Sequence, residues 1–428
     1  MIKILDSKIK NFDLTLIKLL SKRKNKVQLS SVSVTNIIKD VKKNGDKAIL
    51  KYEKRFNKNN IIVPNLKQIT KSIKFLDPKI KKAIDLAYNR IYKFHSLQKF
   101  KNISYKDKLK NKLEYKYIPI ESVAIYVPGS TVSYPSSVLM NAIPARVAGV
   151  KRIVMINPGQ DGKQNPAVLY AAKKCKIKEI YSIGGPSAIA GVAYGTKKIK
   201  KVDKIVGPGN SYVAAAKKEV FGDVGIEGMI AGPSEVTIVC DKFSNAEWIA
   251  SDLIGQAEHD NLAQCILISK DSNFIKKAVN EINKQLKDLP RSSIARNSIL
   301  NNGILIHILS DQKIIDVVNK IAPEHLELNV RNYKKLVSKV KNSGSICLGK
   351  YAVMAMTDYN VGSNHILPTN SSARYSSGVS VNEFYKRISY IKLSKKGIET
   401  LGPSVITLAN YEGLVGHARS VEKRIRRK

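Results

Sequence analysis

From residue 122 to residue 220 the chain repeats one rhythm, and that rhythm limits the possible folds more than any other feature. The apolar run 122–127 (SVAIYV) ends at Pro128-Gly129-Ser130, and SSVLMNAIPARVAGV follows at helical spacing. Apolar runs at 152–157, 180–183 and 202–206 then alternate with helical patterns at 167–174, 187–194 and 211–220, the last opening after the turn Gly207-Pro208-Gly209-Asn210. Short loops between near-continuous apolar strands and helices predict an α/β fold with a parallel sheet covered on both faces. A second α/β run follows, with strands at 235–240, 264–269, 304–309 and 345–348 and helices at 245–258, 273–286, 311–321 and 333–340. In such sheets ligands gather beyond the carboxyl ends of the strands.

The chain has 428 residues, beyond the size at which one core usually stops growing, so two large domains are expected. The first 110 residues read as helical, with patterns at 35–56 and 70–97, and Ser31 and Ser33 stand where a helix could be capped. After the serine-rich segment 369–377 a small tail follows, with a segment at 381–389, a link at 394–397 and a helix at 405–409 that could extend beyond His417. A piece of that size buries too little alone and must dock on another domain or subunit. No run of eighteen apolar residues occurs and the N-terminus carries charges through its apolar stretches, so a cytoplasmic protein with no membrane partner is expected. Cys175, Cys240, Cys265 and Cys347 have no C-x-x-C spacing and read as buried reduced thiols.

The formal charge of +40 invites a nucleic-acid reading. Its lysines, however, are spread over the first hundred residues, the 163–204 region, the 270s and the C-terminus, without interleaved aromatics or a known binding module. A general lysine, isoleucine and asparagine usage with solvated basic faces is the simpler reading. It implies no specific nucleic acid, only salt-sensitive adhesion to polyanions.

Chemistry is concentrated in few places. Of six histidines, His95 reads as a packing or surface residue and His307, inside ILIHILS, as a satisfied sheet residue. His259, His325, His365 and His417 lie beside turn glycines, prolines or carboxylates. Gln256 and His259 are three apart in what reads as a helix, and could reach one point in space. TDYNVGSNH adds Asp358 and His365, and EGLVGH adds Glu412 and His417. A nitrogen and oxygen donor set without thiolate suits zinc, manganese, cobalt or nickel, and zinc when availability is weighed. Glu324-His325, placed on a loop after a helix, offers two adjacent proton acceptors that diverge toward different positions of one substrate. Glu324 could equally cap a helix following Pro323. VPGS, IGGPSAIA and VGPGN, in succession at strand ends, make a nucleotide crevice plausible, although neither G-x-G-x-x-G nor a P-loop is present.

Seven ordered stretches together closely resemble the histidinol dehydrogenase family: 126–150, 202–222, AGPSEVTIV (231–239), DLIGQAEHD (252–260), APEHLEL (322–328), DYNVGSNHILPT (358–369) and EGLVGHARSV (412–421). The resemblance implies two incomplete Rossmann-like α/β domains, a helical N-terminal region and a small C-terminal tail domain. Its implied boundaries are 1–20 joining the tail, 21–125 with 235–379 as the domain carrying most metal and catalytic residues, 126–234 for the nicotinamide cofactor, and 380–428 reaching a partner subunit. It implies zinc-dependent oxidation of L-histidinol to L-histidine through L-histidinaldehyde, with two NAD reduced, in a homodimer that shares its active sites. By motif, Gln256, His259, Asp358 and His417 resemble the zinc ligands, and Glu324 and His325 the bases. Ser234, His365 and Glu412 resemble substrate-binding groups, with Gln256, His259, His325, Asp358 and His417 also against the substrate. Tyr126, Ser187 and Asn210 fall where the family contacts NAD. No cysteine enters this constellation, which disfavours a covalent thiohemiacetal route.

Against the family pattern, GGPSAIA stands where GGAQAIA is usual, so Ser187 replaces a glutamine that helps hold NAD. Val353-Met354-Ala355 replaces P-E-S, Thr357 replaces the glycine before Asp358, Ser130 replaces a glycine, and VGIEGMIAG departs from V-G-I-D-M. If the replaced glycine uses positive φ, Thr357 is expected to be strained or its loop shifted. The alternatives are an NAD-dependent dehydrogenase for another amino or sulfonated alcohol on this scaffold, and a basic nucleic-acid-binding protein retaining the fold. Retention of Ser234, Glu324, His325, His365 and Glu412 favours histidinol.

Overall fold

The computed structural model describes residues 2–27, 31–129, 133–159, 163–227 and 232–425; Ser130 and residues 228–231 of VGIEGMIAG lie outside the described residues. The chain forms two compact units, Met1–Gln98 with Glu121–Glu383, and Lys99–Ile120 with Phe384–Lys428.

The first unit contains the two expected parallel sheets. One has the order Glu179–Tyr181, Arg152–Ile156, Ser122–Tyr126, Lys204–Val206, Gly225–Ile226. The other runs Lys3–Asp6, Ile304–His307, Gln264–Ser269, Glu235–Cys240, His325–Asn329, Ser345–Leu348. Every residue of Ser122–Tyr126, Glu235–Cys240 and Gln264–Ser269 is buried, which is why these strands read as unbroken apolar runs. The helices between them start where polar caps allow: Asn165, Asn210, Asn245, Asp271 and Ser310 each accept a backbone N–H of the first turn.

Three expectations are corrected. The helical pattern at 35–56 is two helices, Ser31–Asn44 and Asp46–Asn57, broken where Gly45 takes φ +53°. Their apolar faces pack on the five-stranded sheet, with Val34, Ile38 and Ile49 in one cluster with Ala124, Val154 and Ile205, whereas the expected boundaries group them with the metal-bearing sheet. The segment expected to join the tail supplies an edge strand of the six-stranded sheet, Lys3–Asp6 pairing with Ile304–His307. Four residues are too short for a periodic signal, so this strand could be found only through its partner.

The second unit is an antiparallel sheet in the order Tyr385–Lys392, Lys112–Pro119, Ile103–Lys106, with Phe100 stacked on Tyr117 at 4.6 Å between ring centroids. These strands are largely exposed, with their lysines on one face, so no buried apolar run marked them in the sequence. The helices Lys395–Tyr411 and Val415–Ile425 follow, longer than the expected 405–409.

One buried charge fixes the turn after Lys204–Val206. Lys217, wholly buried in the helix Ser211–Glu219, donates from Nζ to the carbonyl of Gly207 and, at 3.4 Å, to that of Glu227. Gly207 takes φ +104°, and a Cβ there would meet the Tyr126 carbonyl oxygen at 2.4 Å, so the turn depends on glycine as well as on the lysine. Burial pushes the Lys217 pKa down to about 8 from 10.5. Between those values the unfolded lysine keeps a proton that the folded one has lost, so stability from this group rises with pH, at up to about 1.4 kcal/mol per unit. Urea denaturation of wild type and Lys217→Met at about pH 7.5 and about pH 9.5 should therefore show the difference moving in favour of the wild type by about 1–2 kcal/mol. A constant difference would show that the folded lysine keeps its proton.

Candidate active site

The candidate site forms at the amino end of the strand His325–Asn329 and beside the ends of two helices. Glu324 and His325 were expected on a loop; His325 in fact opens a central strand, paired with Val236 on one side and Ser345 on the other. That strand was missed because HLELN carries polar residues, although all five are buried. Gln256 lies in the last turn of the helix Ala246–Ala257, and His259 lies just beyond its end, its N–H donating to the Gln256 carbonyl at 3.3 Å. Thus the pair does not share a helix face, but the helix end still brings them together. Asp358 sits in the short helix Met354–Tyr359 and His365 in the loop after it.

The geometry couples these residues. His325 Nε2 lies 3.9 Å from Glu324 Oε1 and 3.9 Å from Asp358 Oδ1. His365 Nδ1 is 2.8 Å from the Asp358 carbonyl oxygen; that oxygen only accepts, so Nδ1 carries the proton. His365 Nε2 is then the acceptor facing Ser137 Oγ at 3.4 Å, on the helix Pro135–Ala148 that covers the other sheet. Asn364 binds the Met140 carbonyl of that same helix at 2.6 Å, so the loop spans both sheets.

Removal from water sets the protonation states. Burial, with His365 and His259 close by, pushes His325 down to about 3, and burial pushes His365 down to about 4. Both imidazoles therefore stand neutral at physiological pH, with lone pairs to offer. Burial raises Glu324 well above the usual carboxylate range, helped by Glu235 and Asp358, and raises Asp358 to about 7. Glu324 still accepts the Glu235 N–H at 2.8 Å through Oε2, which leaves Oε1 toward His325.

Gln256 Oε1 and His325 Nδ1 are buried without hydrogen-bond partners. Such atoms are costly unless something fills the site. Among the described residues no group of three or more His, Cys, Asp or Glu side chains is gathered to hold a metal ion. Of the expected ligand set, Gln256, His259 and Asp358 belong to the first unit, two of them of those types, while His417 stands in the second unit on the helix Val415–Ile425. Glu412 caps the end of Lys395–Tyr411, and both it and His417 are exposed. Thr357 is inside the helix with Asp358 and is not among the positive-φ residues; its hydroxyl donates to the Met354 carbonyl at 2.7 Å, so the expected strain is absent.

Tyr126 ends its strand, and its hydroxyl accepts the Gly185 N–H at 3.1 Å. Ser187 is buried in the first turn of the helix Gly185–Tyr194 and donates to the Gly184 carbonyl at 3.2 Å. Asn210 is exposed and caps the helix Ser211–Glu219. The three thus stand at or beyond the carboxyl ends of three parallel strands of the five-stranded sheet, Ser122–Tyr126, Glu179–Tyr181 and Lys204–Val206. His95, which bonds Gln98 at 2.8 Å, and His307, which bonds Asp6 at 2.9 Å, are satisfied structural histidines as expected.

A family model described as histidinol dehydrogenase matches residues 20–425. The chain belongs to the histidinol dehydrogenase family. It is 87% identical over 428 residues to histidinol dehydrogenase of Pelagibacter ubique (strain HTCC1062), covering 100% of each chain, and 46% identical over 396 residues to that of Mesorhizobium japonicum, covering 92% of each. A crystal structure of histidinol dehydrogenase from Elizabethkingia anophelis superposes with a TM-score of 0.90 at 36% identity, over 99% of this chain and 98% of that one.

Sequence reasoning missed the support for this family's site in the present chain. Arg23, on the helix Phe12–Val27, is 4% exposed and binds the Glu235 carboxylate, the Pro233 carbonyl and, at 2.8 Å, the Leu262 carbonyl. Glu235 also accepts the Asn370 N–H at 2.8 Å. One guanidinium therefore pins the segments that carry Ser234, the Glu324 partner and the turn after His259. An isolated arginine in a lysine-rich helix gives no sequence signal of this kind. Removing one member of a buried ion pair strands the other, so Arg23→Met should lower unfolding stability by about 3–5 kcal/mol. The double variant Arg23→Met/Glu235→Gln should regain part of it. A loss below about 1 kcal/mol on chemical denaturation would show that the pair does not support this region.

Proposed function

We propose that this chain oxidises L-histidinol to L-histidine through L-histidinaldehyde, reducing two NAD, as the last step of histidine biosynthesis. The observation that carries this reading is the gathering of Glu324, His325, Asp358 and His365 at one buried place in a chain of this family. Primary alcohol to acid requires loss of two hydrides with water added between them, and that requires proton acceptors serving the alcohol and the hydrate in turn. A neutral His325 accepts the proton of the carbinol, releases it, and then accepts that of the hydrate, and Glu324, once ionised, has the raised proton affinity to take a proton from water for the addition to the aldehyde.

The residues fit a metal ion. Gln256 offers a buried, unpartnered amide oxygen, His259 an imidazole kept neutral by burial, and Asp358 a carboxylate. Zinc would be held by these three with His417, and when bound it would fix the substrate's nitrogen donors and favour ionisation of the groups around it. His417 and Glu412 are supplied, in this reading, by the tail of a second copy in a homodimer with shared sites. Ser234, His365 and Glu412 hold the substrate, and His365 Nε2 is oriented for this by the Asp358 carbonyl on its other nitrogen.

NAD is assigned to the crevice of the five-stranded sheet, at Tyr126, Ser187 and Asn210, with domain roles that follow the two sheets: six strands for metal and bases, five for the cofactor. No helix among the described residues is long and apolar enough to cross a membrane, and a cytoplasmic place suits the reading.

Purified, zinc-loaded protein should release two NADH for each histidine formed from L-histidinol, read by absorbance and amino-acid analysis; a ratio of one with free aldehyde accumulating would overturn the scheme. In single turnover, Glu324→Gln should give about one NADH per site and then stall at hydration. Because the Ser187 hydroxyl is already engaged by Gly184, Ser187→Ala should alter the NAD KM by less than about twofold. A larger rise would place that hydroxyl on the cofactor.

A further inference from the structure

Behind the site lies a pair of acids that the reaction does not use. Glu327 is two residues beyond His325 in the same strand, hence on the same face, and is 1% exposed. Its Oε1 accepts the N–H of Met354 at 2.7 Å, the first residue of the helix Met354–Tyr359 that carries Asp358 one turn later. That helix has Val353 at its N-cap and no side-chain cap of its own, so the strand supplies the acceptor that the local sequence lacks. On the other side, Glu327 meets the carboxyl of Asp252, which lies one turn before Gln256 on the helix Ala246–Ala257. Three elements that each hold one site residue, His325, Asp358 and Gln256, therefore converge on one buried carboxyl.

We infer that Glu327, bridged to Asp252, is a positioning residue that sets Asp358 and Gln256 relative to His325 and so fixes the geometry of the metal site. The inference rests on the assignment of Asp358 and Gln256 as zinc ligands. Glu327 does not touch substrate: its reachable partners are a backbone N–H and another carboxyl. Burial, with Asp252 beside it, pushes Glu327 up to about 8, and burial pushes Asp252 up to about 6, so a proton is available to the pair at neutral pH. The departure at Val353-Met354-Ala355 increases the dependence. In this chain the first turn of the Asp358 helix offers no serine or acid to hold its own N–H groups.

The test measures zinc affinity of the metal-free protein by competition with a chromophoric chelator, alongside the KM for NAD. Glu327→Met, similar in volume, should weaken zinc about 10–100-fold and leave the NAD KM unchanged. Glu327→Gln can still accept from Met354 and donate to Asp252, and should restore zinc affinity to within about threefold of wild type. A loss of stability alone would not be rescued in this selective way. Asp358→Ala is measured in parallel. If it loses zinc while Glu327→Met binds zinc like the wild type, the positioning role is overturned and the ligand assignment stands; if Asp358→Ala keeps zinc, the ligand assignment itself fails. Should Glu327→Met not fold, Asp252→Leu, which removes only the bridge to the Gln256 helix, should weaken zinc by about tenfold. Unchanged affinity in that variant would equally overturn the role.

Discussion

The exclusion of water from the start of the strand His325–Asn329 is the constraint on which the chemistry of this protein depends. Ionisable groups placed there cannot keep the charges that they carry in solution, so His325 and His365 become neutral and Glu324 is raised. The same exclusion makes every unpartnered polar atom costly, and the fold answers with a dense set of backbone contacts: Glu235 N–H to Glu324, the Asp358 carbonyl to His365, Met354 N–H to Glu327. Each of these bonds joins a side chain in or behind the site to a different segment of the chain. The sheet is thus a scaffold whose rigidity is expressed at one end.

Much of the first unit was legible in the sequence because its central strands are buried on both faces and say so in unbroken apolar runs. Glu235–Cys240, Gln264–Ser269, Ser345–Leu348 and the helix Asp311–Ile321 lie where the pattern put them. What stayed hidden was structure whose signal lies in a distant partner. Lys3–Asp6 is a strand because Ile304–His307 offers an edge, and His325–Asn329 is one because neighbours on both sides compensate its polar residues. The three strands of the second unit are largely exposed and so carry no unbroken apolar run.

The candidate site was read mainly through its motifs. Spacing placed Gln256 and His259 on one helical face, whereas His259 lies in the turn after the helix end, its N–H on the Gln256 carbonyl. The role of Arg23 could not be read at all, since it depends on residues more than two hundred positions away. Thr357 is the instructive opposite: a departure that looked disruptive is harmless because the backbone there is helical. Departure from a motif matters only through the conformation that it must adopt.

The start of the helix Gly185–Tyr194 carries a consequence for how a nucleotide is held. In many dinucleotide folds the free N–H groups of such a helix grip the pyrophosphate. Here Glu53, from the helix Asp46–Asn57, accepts the Gly184 N–H at 2.8 Å, Tyr126 accepts that of Gly185, and Pro186 has none. With a buried carboxyl of the protein's own already seated at that N–H, an anion meets competition where it would otherwise find a backbone donor. This helix start therefore has few donors left for an incoming anion, and any group held at this end of the sheet must find its anchors elsewhere.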